Sequence, residues 1–186
     1  TLYRGFENLM KGRGALDGLV MTPRICGICS TTHLAAAARA LDAIAGLTPP
    51  DNALRVRNLA LMAEHVQSDV RQSVLMYMAD FAHPAHARHP LYDEALRRYA
   101  PTACSSAIDA IRETKRVLEV VAILGGQWPH SSFMVPGGIA FAPSQANTLQ
   151  CMQVVGAYRA WYERRVLGCT IERWCEVDSR AALDAW

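Results

Sequence analysis

Residues 24–33 read RICGICSTTH, and the next ten, LAAAARALDA, are rich in alanine. Cys26 and Cys29 therefore sit on a turn punctuated by Pro23 and Gly27, just before a segment of strong helix formers that Gly46 can end. Ser30, Thr31 and Thr32 are each competent to cap that helix. Two thiolates at i and i+3 can reach one soft or borderline metal ion from a tight turn. A helix starting just after them stabilises their negative charge through its N-terminal dipole. His33 lies one helical turn beyond Cys29, within reach of a thiolate as a hydrogen-bond partner. On these residues alone several chemistries stay open. A zinc ribbon wants a second Cys-x-x-Cys, which this sequence lacks. A thioredoxin-like dithiol follows a strand in a βαβ setting, and the surroundings here read as helix. A metal site completed by other residues and a pair of inert buried thiols both fit.

Outward from this turn the chain reads almost entirely as helix. Phe6, Leu9 and Met10 are spaced as a short helix ahead of Gly12. Pro49 and Pro50 break the chain. A long helix is then expected over 52–81, with Leu59, Met62, Val66, Val70, Val74 and Tyr77 as one apolar stripe facing the core. HPAHARHP, residues 83–90, reads as a loop and LYDEALRRY, residues 91–99, as a short helix. A further helix is expected over 105–124, burying Ile108, Ile111, Leu118 and Val121 and stopping at Gly125-Gly126. Residues 127–144 read as a long irregular segment, and segments of that length tend to be functional. Ser144 caps a last long helix, interrupted near Gly168. The fold class is therefore all-α, a helical bundle, with 1–186 as a single domain and no internal repeat.

Composition narrows the function classes. Half of the 186 residues (51%) are hydrophobic and 19% are charged, which is apolar for so short a chain and points to surface covered by other protein. The formal charge of +2 and the absence of basic runs argue against nucleic acid. No apolar run is long enough for a membrane span, and no secretory-signal pattern is present. The first residue is Thr1, and the last residues stop inside an amphipathic pattern, so a piece of a longer protein is expected. Cys104, Cys151, Cys169 and Cys175 fall in apolar helical patterns and read as core thiols. Met62, Met76 and Met78 read as core packing. His83, His86 and His89 resemble a metal cluster by spacing, but read as solvated loop residues. His130, in GGQWPH, is a candidate for a role near the site, against a plain structural hydrogen bond.

Residues 3–42 closely resemble the first nickel-binding region of [NiFe] hydrogenase large subunits. That family carries an R-G-(aliphatic or aromatic)-E box, here RGFE at 4–7, and then R-x-C-G-x-C-x-x-x-H, here 24–33; Glu7 lies 19 residues before Cys26. The similarity continues through NLALMAEHVQSDVRQSVLMYMADF and ILGGQWPHSSFMVPGG and is strongest to the group 2 branch of uptake and hydrogen-sensing enzymes. The resemblance implies the helical bundle core of such a subunit, incomplete here. It implies that Cys26 is a terminal nickel ligand and that Cys29 bridges nickel to an iron carrying cyanide and carbon monoxide, a Ni-Fe(CN)2(CO) centre. His33 would hydrogen-bond the bridging thiolate. Glu7 would bind Mg2+, a hard cation suited to carboxylate. Arg24 matches the motif arginine. The implied activity is oxidation of H2, with electrons passing to an iron–sulfur small subunit, in a cytoplasmic enzyme loaded by maturation proteins. A hydrogen-sensing subunit and an inactive truncated remnant are the alternatives.

Several departures matter. The family's R-I-E-G-H segment and its D-P-C-x-x-C motif are not among these residues, so two of four nickel thiolates are present and the chain alone is expected to be inactive. Asp69 stands where some relatives carry histidine. Respiratory complex I subunits share the fold without the nickel cysteines, and Cys26 and Cys29 argue against that reading.

Overall fold

The computed structural model describes residues 4–101 and 105–186. It is a helical assembly, as the periodicity predicts, and it also carries one small hairpin that the periodicity does not. The helices are α1 (Phe6–Met10), α2 (Gly18–Met21), α3 (Ser30–Ala45), α4 (Asp51–Arg71), α5 (Tyr92–Tyr99), α6 (Ser105–Val117), α7 (Glu119–Gly125), α8 (Gln145–Tyr162), α9 (Ile171–Cys175) and α10 (Arg180–Asp184). Strands β1 (Met134–Val135) and β2 (Gly138–Ile139) pair antiparallel, Met134 opposite Ile139.

α3 and α4 are the centre of the molecule. Gly46 ends α3 in the left-handed conformation (φ 65°), and the Gly46 and Leu47 amides donate to the carbonyls of Ala43 and Asp42. That is the chemistry expected of glycine just past a helix end. Leu34, Ala35 and Ala38 of α3 are buried, as are Ala60 and Ala63 of α4. Small residues on both faces let the backbones approach closely. Leu34, Leu118, Val121, Leu124, Phe133 and Met134 fill the space between these helices, α7 and the hairpin. Each fully buried Leu or Met contributes about 1.5–3 kcal/mol by leaving water. A second cluster joins Val70, Val74, Ala110, Val117, Tyr158 and Trp161 at the far end of α4.

Arg57 and Asp42 tie the hairpin to this centre. Arg57 is 3% exposed, and its Nη1 lies 2.6 Å from Asp42 Oδ2. Its Nη2 donates to the carbonyls of Val135 (2.6 Å) and Gly138 (2.8 Å), and the Gly137 amide donates to Asp42 Oδ1 at 2.7 Å. The Arg57 guanidinium hydrogen-bonded to Asp42 holds that carboxyl below the usual aspartate range; the Gly137 amide acts in the same direction and burial opposes both.

Several expectations are corrected. The long helix does not run to residue 81 as one α-helix: it changes to a π-helical segment at Gln72–Tyr77 and to a 3-10 segment at Met78–Ala82. Its large apolar stripe is not the core face. Leu59, Met62, Val66 and Tyr77 are exposed, Met62 at 62%; only Val70 and Val74 of the stripe are buried. The face turned inward is Ala53, Arg57, Ala60, Glu64, Gln67 and Val70. Met76 is exposed and Met78 half-buried, so the Met62, Met76 and Met78 group is not core. Ile108 and Ile111 are exposed, whereas Leu118 and Val121 are buried. The 105–124 helix breaks at Leu118 into α6 and α7. Within 127–144 the hairpin escapes sequence reading, because two-residue strands carry no periodicity. Of the expected core thiols, Cys151 is buried, Cys169 half-buried and Cys175 exposed; Cys104 lies outside the described residues. Ser144 caps α8 as expected, with Asn147 closing a reciprocal capping box.

Candidate metal centre

The cysteine turn is built from both sides. α2 runs into a 3-10 turn at Thr22–Arg24 with Pro23 buried. The Thr22 hydroxyl lies 2.8 Å from the Gly18 carbonyl and 3.2 Å from the His33 carbonyl, linking the entry to the first turn of α3. Cys26 and Cys29 follow, both half-buried, with Cα atoms 5.4 Å apart and their sulfurs joined as a disulfide. The Cys29 amide donates to Cys26 Sγ at 3.2 Å. A backbone N–H aimed at a cysteine sulfur stabilises its thiolate form and orients it as a ligand. Reduced, the pair offers two soft donors at one point on the surface, beside the start of a sixteen-residue helix.

The helix start is not capped by its own serine or threonines. Cys29 occupies the cap position and makes no side-chain cap. Ser30 and Thr31 are buried, and the orphan amides go to Glu64 of α4. Glu64 Oε2 accepts from the Thr31 amide and Oε1 from the Thr32 amide, both at 2.8 Å, and Oε1 also accepts the Thr32 hydroxyl at 2.9 Å. The Trp128 indole N–H reaches Oε2 at 3.4 Å. Sequence reasoning missed Glu64. The signal available was its place on a second stripe of α4, residues 53, 57, 60, 64 and 67, in steps of four and three.

The 127–133 segment packs over the turn. The His130 amide donates to Ser30 Oγ at 3.2 Å, and its Nδ1 lies 2.9 Å from the Pro23 carbonyl. His130 therefore bridges the two residues that bracket the cysteines, and it holds a left-handed backbone (φ 65°), which costs a non-glycine residue of order 1 kcal/mol. Gly125 lets the segment approach: a Cβ there would stand 2.6 Å from both Phe133 Cδ1 and Ser131 Oγ.

The other candidates fall as follows. The His33 amide donates to the Cys29 carbonyl at 3.2 Å, and its imidazole, half-buried, makes no hydrogen bond among the described residues. Glu7 is exposed on α1, with its carboxyl held below the usual range, first by a hydrogen bond to its own backbone amide. Its box reaches the cysteine turn through Arg4, whose Nη1 lies 3.5 Å from the Arg24 carbonyl. Asp69 is exposed. His83 and His89 each spend Nδ1 on a local turn amide, of Ala85 and Leu91, and all three loop histidines are exposed. Among the described residues, no three His, Cys, Asp or Glu side chains gather into a metal cage. The donor set at Cys26 and Cys29 fits half of a thiolate metal centre.

The fold and the site together are those of an all-α protein that carries a Cys-x-x-Cys turn at the head of a half-buried helix. Residues 4–89 match the family model described as nickel-dependent hydrogenase, and the chain belongs to that family. It is 32% identical over 139 residues to the F420-non-reducing hydrogenase (vhc) of Methanococcus voltae, covering 73% of this chain and 28% of that protein. It is 27% identical over 157 residues to the periplasmic [NiFeSe] hydrogenase large subunit of Desulfomicrobium baculatum, covering 77% and 30%. The Ni-Fe-Se hydrogenase of D. vulgaris Hildenborough in the reduced state superposes with a TM-score of 0.73 at 29% identity, over 89% of this chain and 36% of that one. The chain thus spans about a third of the length of the relatives it matches. No helix among the described residues is long and apolar enough to cross a membrane.

Proposed function

We propose that this chain supplies half of the nickel ligand set of a hydrogenase large subunit, acting as an uptake enzyme with an iron–sulfur small subunit. The observation that carries this reading is the cysteine turn itself: two sulfurs at one point, a backbone N–H on Cys26 Sγ, and the first turn of α3 buried behind them at Ser30 and Thr31. Once reduced, Cys26 and Cys29 would hold the centre, Cys26 as the terminal thiolate and Cys29 as the bridging one, as the family resemblance implies. A Ni-Fe(CN)2(CO) centre held there, with two further thiolates from outside these residues, would supply the chemistry that splits H2 into a proton and a hydride, for the net reaction H2 ⇌ 2H+ + 2e−.

The chain's own residues do the rest. Thr22, Ser30 and His130 fix the turn so that both sulfurs converge. His33, one turn along α3, would donate an imidazole N–H to the Cys29 thiolate of the reduced, metal-loaded turn and steady its negative charge. Cys26, as a terminal ligand, would be the sulfur better placed to accept a proton. Glu7 would be a carboxylate ligand for Mg2+. The apolar stripe left exposed on α4 is covered by further hydrogenase chain, and loading of the centre falls to maturation proteins in the cytoplasm.

Metal analysis and infrared spectroscopy of the longest native chain containing these residues, purified with its small subunit, test the reading. About one nickel per chain with cyanide and carbonyl bands is the expected result. No nickel and no such bands, with maturation factors present, overturns it.

A further inference from the structure

Glu64 is 1% exposed in the middle of α4, yet both its oxygens serve another helix. All four of its partners are donors: the Thr31 and Thr32 amides, the Thr32 hydroxyl and the Trp128 indole. It therefore acts as a carboxylate. The Thr31 and Thr32 amides belong to the first turn of α3, immediately after Cys29. The first-turn amides and the positive end of the helix dipole are the groups that would otherwise draw electron density from a nearby thiolate. Glu64 occupies them, and it brings a full negative charge into an interior where charge acts over a longer range than in water.

We propose that Glu64 is a positioning and tuning residue for the cysteine pair, an inference that rests on the metal reading above. It holds the first turn of α3 from α4, so that Cys29 keeps its direction. It also cancels the helix-end charge, so that the thiolates stay electron-rich. Neither role needs contact with the metal. The Trp128 contact extends the same anchor to the segment carrying His130, so one carboxylate joins three stretches of chain around the turn.

The test uses the full-length large subunit, matured with its small subunit, as wild type, Glu64→Gln and Glu64→Asp. The Gln side chain keeps the volume and loses the charge; Asp keeps the charge. Nickel content, the carbonyl and cyanide stretching bands and the thermal midpoint are read in each. Less electron density at the metals weakens back-donation into carbonyl, so the Gln variant should retain nickel and shift its bands to higher wavenumber, with the Asp variant nearer wild type. Loss of nickel in the Gln variant that the Asp variant restores also upholds the proposal. A Gln variant with full nickel and unshifted bands overturns it. So does equal nickel loss in both variants in step with a lowered midpoint, which makes Glu64 merely structural. A wild-type protein with neither nickel nor bands overturns the metal reading itself, and this proposal with it.

Discussion

At the residue scale, the cysteine turn separates ligation from folding. Cys26 and Cys29 are half-buried beside an exposed Gly27, and no core cluster depends on them. Replacing either by serine in the full-length protein should abolish nickel binding and hydrogen oxidation while moving the thermal midpoint little; metal analysis beside a melting curve checks this. His33→Ala should act more mildly, about 10–100-fold in metal retention or activity, as expected of a group that supports a ligand. Arg57 is the opposite case: its partners are Asp42, Val135 and Gly138, none of them in the cysteine turn, and it ties the hairpin to the helices. Arg57→Ala leaves Asp42 buried and uncompensated and should cost about 3–5 kcal/mol in a denaturant titration. The Asp42 carboxyl titrates below its unfolded value of about 3.9. Its stabilisation is present above that pH and lost as pH falls through the lower folded value. Acid titration of wild type against Asp42→Asn should therefore converge only in that acidic window.

At the element scale, the decisive features are helix ends. Ser144 and Asn147 close a capping box on α8, and Ser144→Ala should cost about 1 kcal/mol. That cap is legible in the sequence because its donors and acceptors lie three residues apart in one stretch. The cap of α3 is not. Ser30, Thr31 and Thr32 all have capping chemistry, yet the acceptor is Glu64, some thirty residues away. Local chemistry shows that a helix end needs partners; only packing chooses among local and distant ones. Gly125 tests the same point. Its helical position would suit alanine by propensity, but a Cβ there meets Phe133 and Ser131. Gly125→Ala should lose about 1–3 kcal/mol by overpacking, readable as a lower midpoint, rather than gain helix stability.

At the scale of the whole molecule, the apolar stripe of α4 shows why periodicity misassigns the core. Leu59, Met62 and Val66 recur at helical spacing, and so do Ala53, Arg57, Ala60, Glu64 and Gln67. A rule that seeks large apolar residues selects the first face; this structure buries the second. On this chain Met62→Lys should change stability by less than about 0.5 kcal/mol. Leu34→Ala, at a site with no exposure, should cost about 2–5 kcal/mol. Parallel denaturant curves distinguish the two faces.

The sequence by itself determined the helical class, the break at Pro49-Pro50, the glycine stop of α3, and the two cysteines with their arginine and histidine at family spacing. These are local properties: propensity, backbone permission and donor type reside in neighbouring residues. Tertiary structure decided which face of α4 is buried, that Glu64 rather than Ser30 or the threonines caps α3, that His130 bridges Pro23 and Ser30, and that Arg57 pins the hairpin. Each of those is a contact between residues far apart in the chain, and its energy depends on burial and on partners that spacing along the sequence does not encode.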